Sequence, residues 1–226
     1  MATLYIIGTP IGNLGDISFR AVEILKTADL LACEDTRRTL KLLNHLGIRV
    51  KMLSCRAHNE EYAAQKVLAA LDQGLTVVYA SDAGTPALSD PGAVLVRCAA
   101  EAGHAVIPLP GPSAFAALLS VAGSRDKTVI FEGFLSPKQG KRRARLQELL
   151  AMKAGIVLYE SPFRILKLLK DLAEIDKTRY ICIGREMTKL HEEYLRGAAE
   201  EVLAVLEARK EQVGEFSVYI AGNFFK

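Results

Sequence analysis

Short apolar runs alternate with helical stretches along the first half of this sequence, and this alternation constrains the fold more than any other feature. The runs are rich in Val, Ile, Leu and Tyr, which suit buried strands. They occupy residues 4–7, 30–33, 50–53, 76–80 and 105–109. Strands that alternate with helices are typical of βαβ units, so we predict an α/β fold with a mostly parallel sheet here.

Capping residues predict where the helices of this half begin. We expect Ser18 to cap the first helix, Thr36 the second and Asn59 the third. Ser89 or Asp90 is predicted to cap a further helix that begins at Pro91, because the fixed φ of proline suits the first helical position.

The second half has a less regular pattern. Strand-like runs at 128–134, 156–160, 180–185, 192–195 and 216–221 are interrupted by helical stretches near 141–152, 163–175 and 198–211. Only six residues separate the run at 180–185 from the next, too few for a parallel crossover, so these two strands should be antiparallel neighbours. We predict an N-terminal α/β domain over 1–112 and a mixed α/β domain over 113–226, two lobes with a ligand cleft between them.

The loop after the fourth run carries the strongest local sign of a binding site. It reads SDAGTPALSDPG over 81–92, between a strand and a helix N-terminus, which is where open parallel sheets place ligands. Asp82 can accept a hydrogen bond from a ligand hydroxyl, and Gly84 lets the backbone approach closely. A simple turn-forming role explains the aspartates equally well.

Composition narrows the class of protein. The four cysteines are scattered without a C-x-x-C pair, which predicts reduced thiols and no metal site. No apolar run approaches the ~18 residues that a membrane span needs, and the N-terminal residues lack a signal-peptide pattern, so we expect a cytoplasmic protein. The net charge of +3 is too small to indicate a nucleic-acid binder by itself.

The loop after the first apolar run, at 8–16, does not match a nucleotide-binding motif. Glycines at 8, 12 and 15 give G-x-x-x-G-x-x-G, not the dinucleotide-binding spacing, and Pro10 removes a backbone donor. Glu34, 22 residues after Gly12, keeps a nicotinamide oxidoreductase open as an alternative. No phosphate-binding P-loop motif is present in the sequence.

The densest basic run of the chain lies in the second half. It comprises Lys138, Lys141, Arg142, Arg143 and Arg145, with no carboxylate among them. Such a run is either a solvated helix face or a grip for RNA phosphates. Glu34 and Asp35 at a helix start, and His58 beside Glu60, are likewise explained either by structural roles or by a polar site.

Ten motifs in one order give the chain a family resemblance. They are TPIGNLGD (9–16), CEDTR (33–37), HNE (58–60), SDAGTP (81–86), SDPG (89–92), PLPGPSA (108–114), FEGFL (131–135), YESPFR (159–164), REMTK (185–189) and GEF (214–216). Together they resemble the small-subunit rRNA 2′-O-ribose cytidine methyltransferases of the tetrapyrrole methylase superfamily. Ser136 departs from the proline expected after FEGFL, which affects only the local loop.

The resemblance implies a homodimer without metal that uses S-adenosylmethionine, bound between the two lobes, to methylate a cytidine ribose in the decoding region of 16S rRNA. The N-terminal domain would face the RNA. Arg37 and the basic run would contact it. The implied cofactor contacts are Thr9, Pro10, Asp82, Thr85, Ser113, Ala114, Tyr159, Met187 and Phe216.

The resemblance does not identify the general base that an acceptor hydroxyl would need. Among Glu34, Asp35, His58, Glu160 and Glu186, we favour the strand-end carboxylates Glu160 and Glu186. Two alternatives to the rRNA enzyme, besides the oxidoreductase, are a C-methylating tetrapyrrole enzyme with the same fold and a non-enzymatic RNA-binding module.

Overall fold

The alternating first half forms a five-stranded sheet in the computed structural model, which describes residues 2–222. Its strands are β1 (Thr3–Ile7), β2 (Leu30–Cys33), β3 (Lys51–Ser54), β4 (Val77–Ala80) and β5 (Ala105–Leu109). All pairings are parallel, in the spatial order β3-β2-β4-β1-β5. The strands β2 and β4 are buried at every position, as central strands covered on both faces should be. The predicted parallel sheet is confirmed.

Four α-helices cover the two faces of this sheet. They are α1 (Phe19–Thr27), α2 (Thr36–Leu46), α3 (Glu60–Asp72) and α4 (Ala93–Glu101). Apolar side chains of α1 and α2 pack on one face, and those of α3 and α4 pack on the other.

The capping predictions had mixed outcomes. The hydroxyl of Ser18 accepts from the Ala21 amide at 3.2 Å, as predicted. Asp35 caps α2 by accepting from the Arg37 amide at 2.9 Å, so the assignment to Thr36 is wrong. Asn59 occupies the cap position of α3, but its side chain makes no cap hydrogen bond to that helix.

The start of α4 differs most from expectation. The helix begins at Ala93 with Gly92 at its cap, so neither Ser89 nor Asp90 caps it, and Pro91 lies outside it. The carboxylate of Glu60, the first residue of α3, accepts from the amides of Gly92, Val94 and Leu95 at 2.8, 2.9 and 3.3 Å. A negative charge here also suits the positive end of the helix dipole.

The second half forms a mixed sheet of its own. Its elements are α5 (Ala114–Val121), β6 (Val129–Gly133), α6 (Gln139–Ala151), β7 (Gly155–Glu160), α7 (Ile165–Asp176), β8 (Tyr180–Arg185), β9 (Glu193–Ala198), α8 (Ala199–Glu207) and β10 (Phe216–Ile220). The order is β6-β7-β10-β8-β9. Only β6 and β7 pair in parallel, and β9 is antiparallel to β8, as predicted.

The chain divides into two compact units between Ser113 and Ala114. In the second unit, α6, α7 and α8 pack on one face of the sheet and α5 packs on the other. No helix within residues 2–222 has both the length and the apolar character that a membrane crossing requires.

Candidate functional site

The carboxyl edge of the first sheet gathers three loops into one surface. Thr9, two residues after β1, and Gly84, in the loop after β4, exchange backbone hydrogen bonds of 2.9 Å in both directions. The Thr9 hydroxyl also donates to the carbonyl of Ser81 at 3.2 Å. These bonds hold the β1 loop, with Pro10, beside the small-residue loop after β4.

The loop after β5 completes this surface. Gly111 lies so close to Gly8 that a Cβ atom at Gly111 would stand 2.8 Å from the Gly8 carbonyl oxygen. The hydroxyl of Thr85 donates to the carbonyl of Pro112 at 3.2 Å. Thr9, Thr85 and Ser113, all predicted cofactor contacts, therefore lie on loops that the structure brings together at one edge.

Asp82 links this surface to the loop after β2. Its Oδ1 accepts from the Asp35 amide at 2.9 Å, and its own amide donates to Glu34 at 3.4 Å. Its Oδ2 lies 3.4 Å from a guanidinium nitrogen of Arg38. The carboxylate that sequence reasoning assigned to the cofactor is thus already fixed in orientation by neighbouring groups.

Asp90 is a residue whose special setting sequence reasoning missed. Burial, followed by the charges of Glu34 and Asp82, raises its pKa to about 6, although a hydrogen bond with Ser81 acts in the opposite direction. Its carboxyl group can therefore gain or lose a proton close to neutral pH. In the sequence, the only sign of this setting is that Asp90 shares a loop with Asp82. The local pattern predicts only a helix cap at Asp90.

Arginines surround the carboxylates at this edge. Asp35 accepts from the Arg37 side chain at 2.6 and 3.0 Å, and a guanidinium nitrogen of Arg56 lies 3.5 Å away. The hydrogen bonds from Arg37 lower the pKa of Asp35 well below its usual range. The Arg37 side chain nevertheless remains 82% exposed, so it can still meet an anion.

The predicted contacts of the second unit lie on and beside its sheet. The hydroxyl oxygen of Tyr159 on β7 accepts from the amide of Phe115, the residue after Ala114. Phe216 on β10 is buried and pairs in register with Glu160 and Arg185. Met187 is buried in the apolar cluster on the α5 side of this sheet.

Both candidate bases are held by cations. The buried Glu160 accepts from the Ser161 amide at 2.7 Å and pairs with Arg164, also at 2.7 Å. Glu186 accepts from the Lys189 ammonium at 2.8 Å and from the Glu215 amide at 2.9 Å. Partial burial alone would raise the pKa of Glu186, but these hydrogen bonds lower it.

The basic run does not form one uniform surface. Arg142 is only 3% exposed, and its guanidinium binds the buried Asp171 at 2.7 Å. This corrects its assignment to an RNA surface, because a buried, paired guanidinium cannot reach a phosphate. Arg143 pairs with Glu174. Arg145 forms a bidentate salt bridge with Glu132, with hydrogen bonds of 2.7 and 2.8 Å.

The two lysines of the run have a different setting. Lys138 and Lys141 are exposed, and neither forms an ion pair with any residue in the part of the chain that the structure describes. They are the members of the run most available to a polyanion.

Two buried hydroxyls suit a ligand rich in polar groups. Within residues 2–222, neither Ser113 Oγ nor Thr188 Oγ1 has a hydrogen-bond partner, although both atoms are buried. A buried hydroxyl without a partner costs free energy, and a bound molecule with hydroxyl, amino and carboxylate groups can supply the missing bonds. Ser113, in the first unit, is also a predicted cofactor contact, and an open hydroxyl there fits the polar groups of S-adenosylmethionine.

Comparisons with known proteins agree on a methyltransferase fold. A family model described as "Tetrapyrrole (Corrin/Porphyrin) Methylases" matches residues 3–203. Among solved structures, that of a cobalt precorrin-4 methyltransferase superposes with a TM-score of 0.67 at 19% identity, covering 97% of this chain and 94% of the other. Diphthine synthase gives 0.71 at 17% identity, with 98% and 90% covered.

Curated relatives are closer in sequence and share one name, "Ribosomal RNA small subunit methyltransferase I". The protein from Borrelia garinii is 47% identical over 96% of this chain and 98% of its own length. The Thermotoga maritima protein is 43% identical over 99% and 100%, and the Escherichia coli O157:H7 protein is 42% identical over 97% and 78%.

Proposed function

This chain belongs to the tetrapyrrole methylase family of S-adenosylmethionine-dependent methyltransferases, and we propose that it methylates the ribose 2′-hydroxyl of a cytidine in the decoding region of 16S rRNA. The observation that carries the proposal is the high identity, along nearly the entire chain, with relatives named for methylation of small-subunit rRNA. The position and the atom methylated come from the family resemblance of the ten motifs.

When bound, S-adenosylmethionine supplies a methyl group on a sulfonium centre. In the first unit, Thr9, Pro10, Asp82, Thr85 and Ser113 would hold it. In the second unit, the contacts would come from Ala114, Tyr159, Met187 and Phe216. Asp82→Asn keeps the shape of the side chain and removes its charge, so cofactor affinity by calorimetry should fall by ~1 to 3 kcal/mol. Unchanged affinity would remove Asp82 from the site.

The acceptor hydroxyl is a poor nucleophile at neutral pH and gains from a group that takes its proton. We propose Glu186 for this role ahead of Glu160, whose carboxylate is buried and paired with Arg164. Replacing the base with glutamine should lower the turnover rate by about 10²- to 10⁴-fold while cofactor affinity stays the same. Equal rates in both glutamine variants and the parent protein would exclude this pair.

We propose that Arg37, Lys138, Lys141, Arg143 and Arg145 contact the RNA, with Arg142 supporting them from inside the second unit. The protein would act as a homodimer in the cytoplasm, on small-subunit rRNA or on the ribosomal subunit that contains it. Sedimentation at micromolar concentration tests the dimer, and a monomer would contradict it.

The reaction itself has a chemical signature. A 2′-O-methyl group removes the hydroxyl that attacks the next phosphodiester in alkali. 16S rRNA from cells without this protein should therefore regain alkaline cleavage at one cytidine, and purified protein with S-adenosylmethionine should restore resistance. A methyl group found on a base, or no change in any nucleoside, would refute the proposal.

A further inference from the structure

Two aromatic side chains stand out on the surface of the second unit. Phe163, in the loop between β7 and α7, is 86% exposed, and Phe134, directly after β6, is 56% exposed. A single exposed ring is common on protein surfaces, but two exposed rings on neighbouring loops form an apolar patch of the kind that marks an interaction site. Phe134 makes an edge contact with the ring of Tyr159 on β7, at 5.9 Å between ring centroids, which leaves much of its face open.

The two rings lie at the same edge of the sheet. Because β6 and β7 are parallel neighbours, their carboxyl ends, and the loops that carry Phe134 and Phe163, leave the sheet on one side. A hydrogen bond joins these loops directly: the guanidinium of Arg164 donates to the carbonyl of Leu135 at 3.4 Å. The residues that follow the two phenylalanines are therefore in contact.

The charge around the rings is positive. Lys138 is four residues after Phe134, and Lys141 lies in the first turn of α6; both are exposed. Glu160, the carboxylate at the end of β7, is buried and paired with Arg164, so it exposes no negative charge. An apolar protein partner would not need the lysines, whereas a polyanion with flat apolar groups uses both features.

We infer that Phe134 and Phe163 form a stacking platform for unpaired RNA bases, with Lys138 and Lys141 on the adjacent phosphates. Exposed aromatic rings beside cations bind single strands because every unpaired base offers a flat face, while the bases of a duplex are already stacked. The inference rests on the proposed function, since it requires an RNA substrate, and it narrows that substrate to a single-stranded region.

The test measures binding of a short single-stranded RNA oligonucleotide, and of a duplex of the same length, by fluorescence anisotropy over a range of salt concentrations. Phe163→Ala should weaken single-strand binding by roughly 5- to 150-fold, the range for loss of one base–aromatic stack, with no change in salt slope. Phe163→Trp should retain affinity. Lys141→Ala should weaken binding and reduce the slope by about 0.7, the value for one lost phosphate contact on a single strand.

Phe19→Ala is the matched control, because Phe19 is 92% exposed in the first unit and takes no part in the platform; this variant should bind RNA as the parent does. If the parent protein binds the single strand and Phe163→Ala binds equally well, the platform is refuted while the proposed methyl transfer stands. If Phe163→Ala alters sedimentation of the free protein but leaves RNA affinity intact, the ring belongs to a protein interface and the inference is wrong. Failure of the parent protein to methylate 16S rRNA in the alkaline assay refutes the proposed function separately.

Discussion

Replacing Asp90 with asparagine should stabilise the protein at neutral pH. Burial is the largest cause that raises the pKa of Asp90, and the charges of Glu34 and Asp82 add to it, moving it from 3.8 to about 6. The folded chain therefore holds this proton more tightly than the unfolded chain. By linkage, stability is lost as the pH rises from about 4 to about 6, and the full cost is present above that range.

The size of the effect follows from the shift. About two pKa units at about 1.4 kcal/mol each give an upper limit of about 3 kcal/mol at pH 8. An asparagine amide carries no charge to desolvate, but it keeps part of the burial cost of a polar group. Because Asp90 is also partly exposed to water, which screens part of the cost, we expect Asp90→Asn to raise the free energy of unfolding by about 1 to 2 kcal/mol at pH 8, and by at most about half a kcal/mol at pH 4.

Urea unfolding of parent and variant at both pH values provides the measurement, since the difference between the two proteins cancels the titration of shared groups. Asp16→Asn serves as the control, because Asp16 is exposed and its replacement should change stability by at most a few tenths of a kcal/mol. A variant that is no more stable than its parent at pH 8, or an advantage that is equally large at pH 4, would refute the reasoning.

Three further substitutions test the packing. Glu60→Ala should lower the free energy of unfolding by about 1 to 3 kcal/mol, because three backbone amides at the start of α4 lose their acceptor; an unchanged urea midpoint would contradict this. Arg142→Ala should cost about 3 kcal/mol, because the buried Asp171 carboxylate would keep only a hydrogen bond from Gln139 at 3.2 Å and the Arg143 guanidinium at 3.9 Å; Arg142→Met combined with Asp171→Leu should recover most of it in the same assay. Gly111→Ala should lower the free energy of unfolding by about 1 to 3 kcal/mol, since its methyl group would overlap the Gly8 backbone. If the variant had the same midpoint of thermal unfolding as the parent protein, the loops would not need this close approach.

The sequence was most informative where a segment is periodic and buried. The bounds of β2 and β8 agree with the predicted runs at 30–33 and 180–185, because a buried strand needs a continuous apolar run. The bounds of β5, a partly exposed edge strand, also agree with the predicted run at 105–109. The antiparallel place of β9 was predictable from chain length alone, since six residues cannot make a crossover.

Long-range pairing explains most of what was missed. The acceptor for the α4 amides is Glu60, 32 residues before Gly92, and the partner of Arg142 is Asp171, 29 residues away. Neither partner lies in the local segment from which the prediction was made, the SDPG motif at 89–92 or the basic run at 138–145. The choice between Asp35 and Thr36 failed for another reason, because both residue types cap helices and only the backbone geometry distinguishes them.

The same limit applied to the candidate site. Glycine, proline and threonine in the loops were recognisable as features of a close-packed binding surface. The pKa of Asp90 was not, because it depends on burial and on Glu34, which arrives from the end of a different strand.

The carboxylate that joins α3 to α4 also has a kinetic consequence. The first amides of α4 donate to the Glu60 carboxylate, which protects them from exchange with solvent. Glu60 keeps this position only while the first turn of α3 is formed. Amide hydrogen exchange at Val94 and Leu95 should therefore follow the opening of α3, so that the two helices exchange as one cooperative unit.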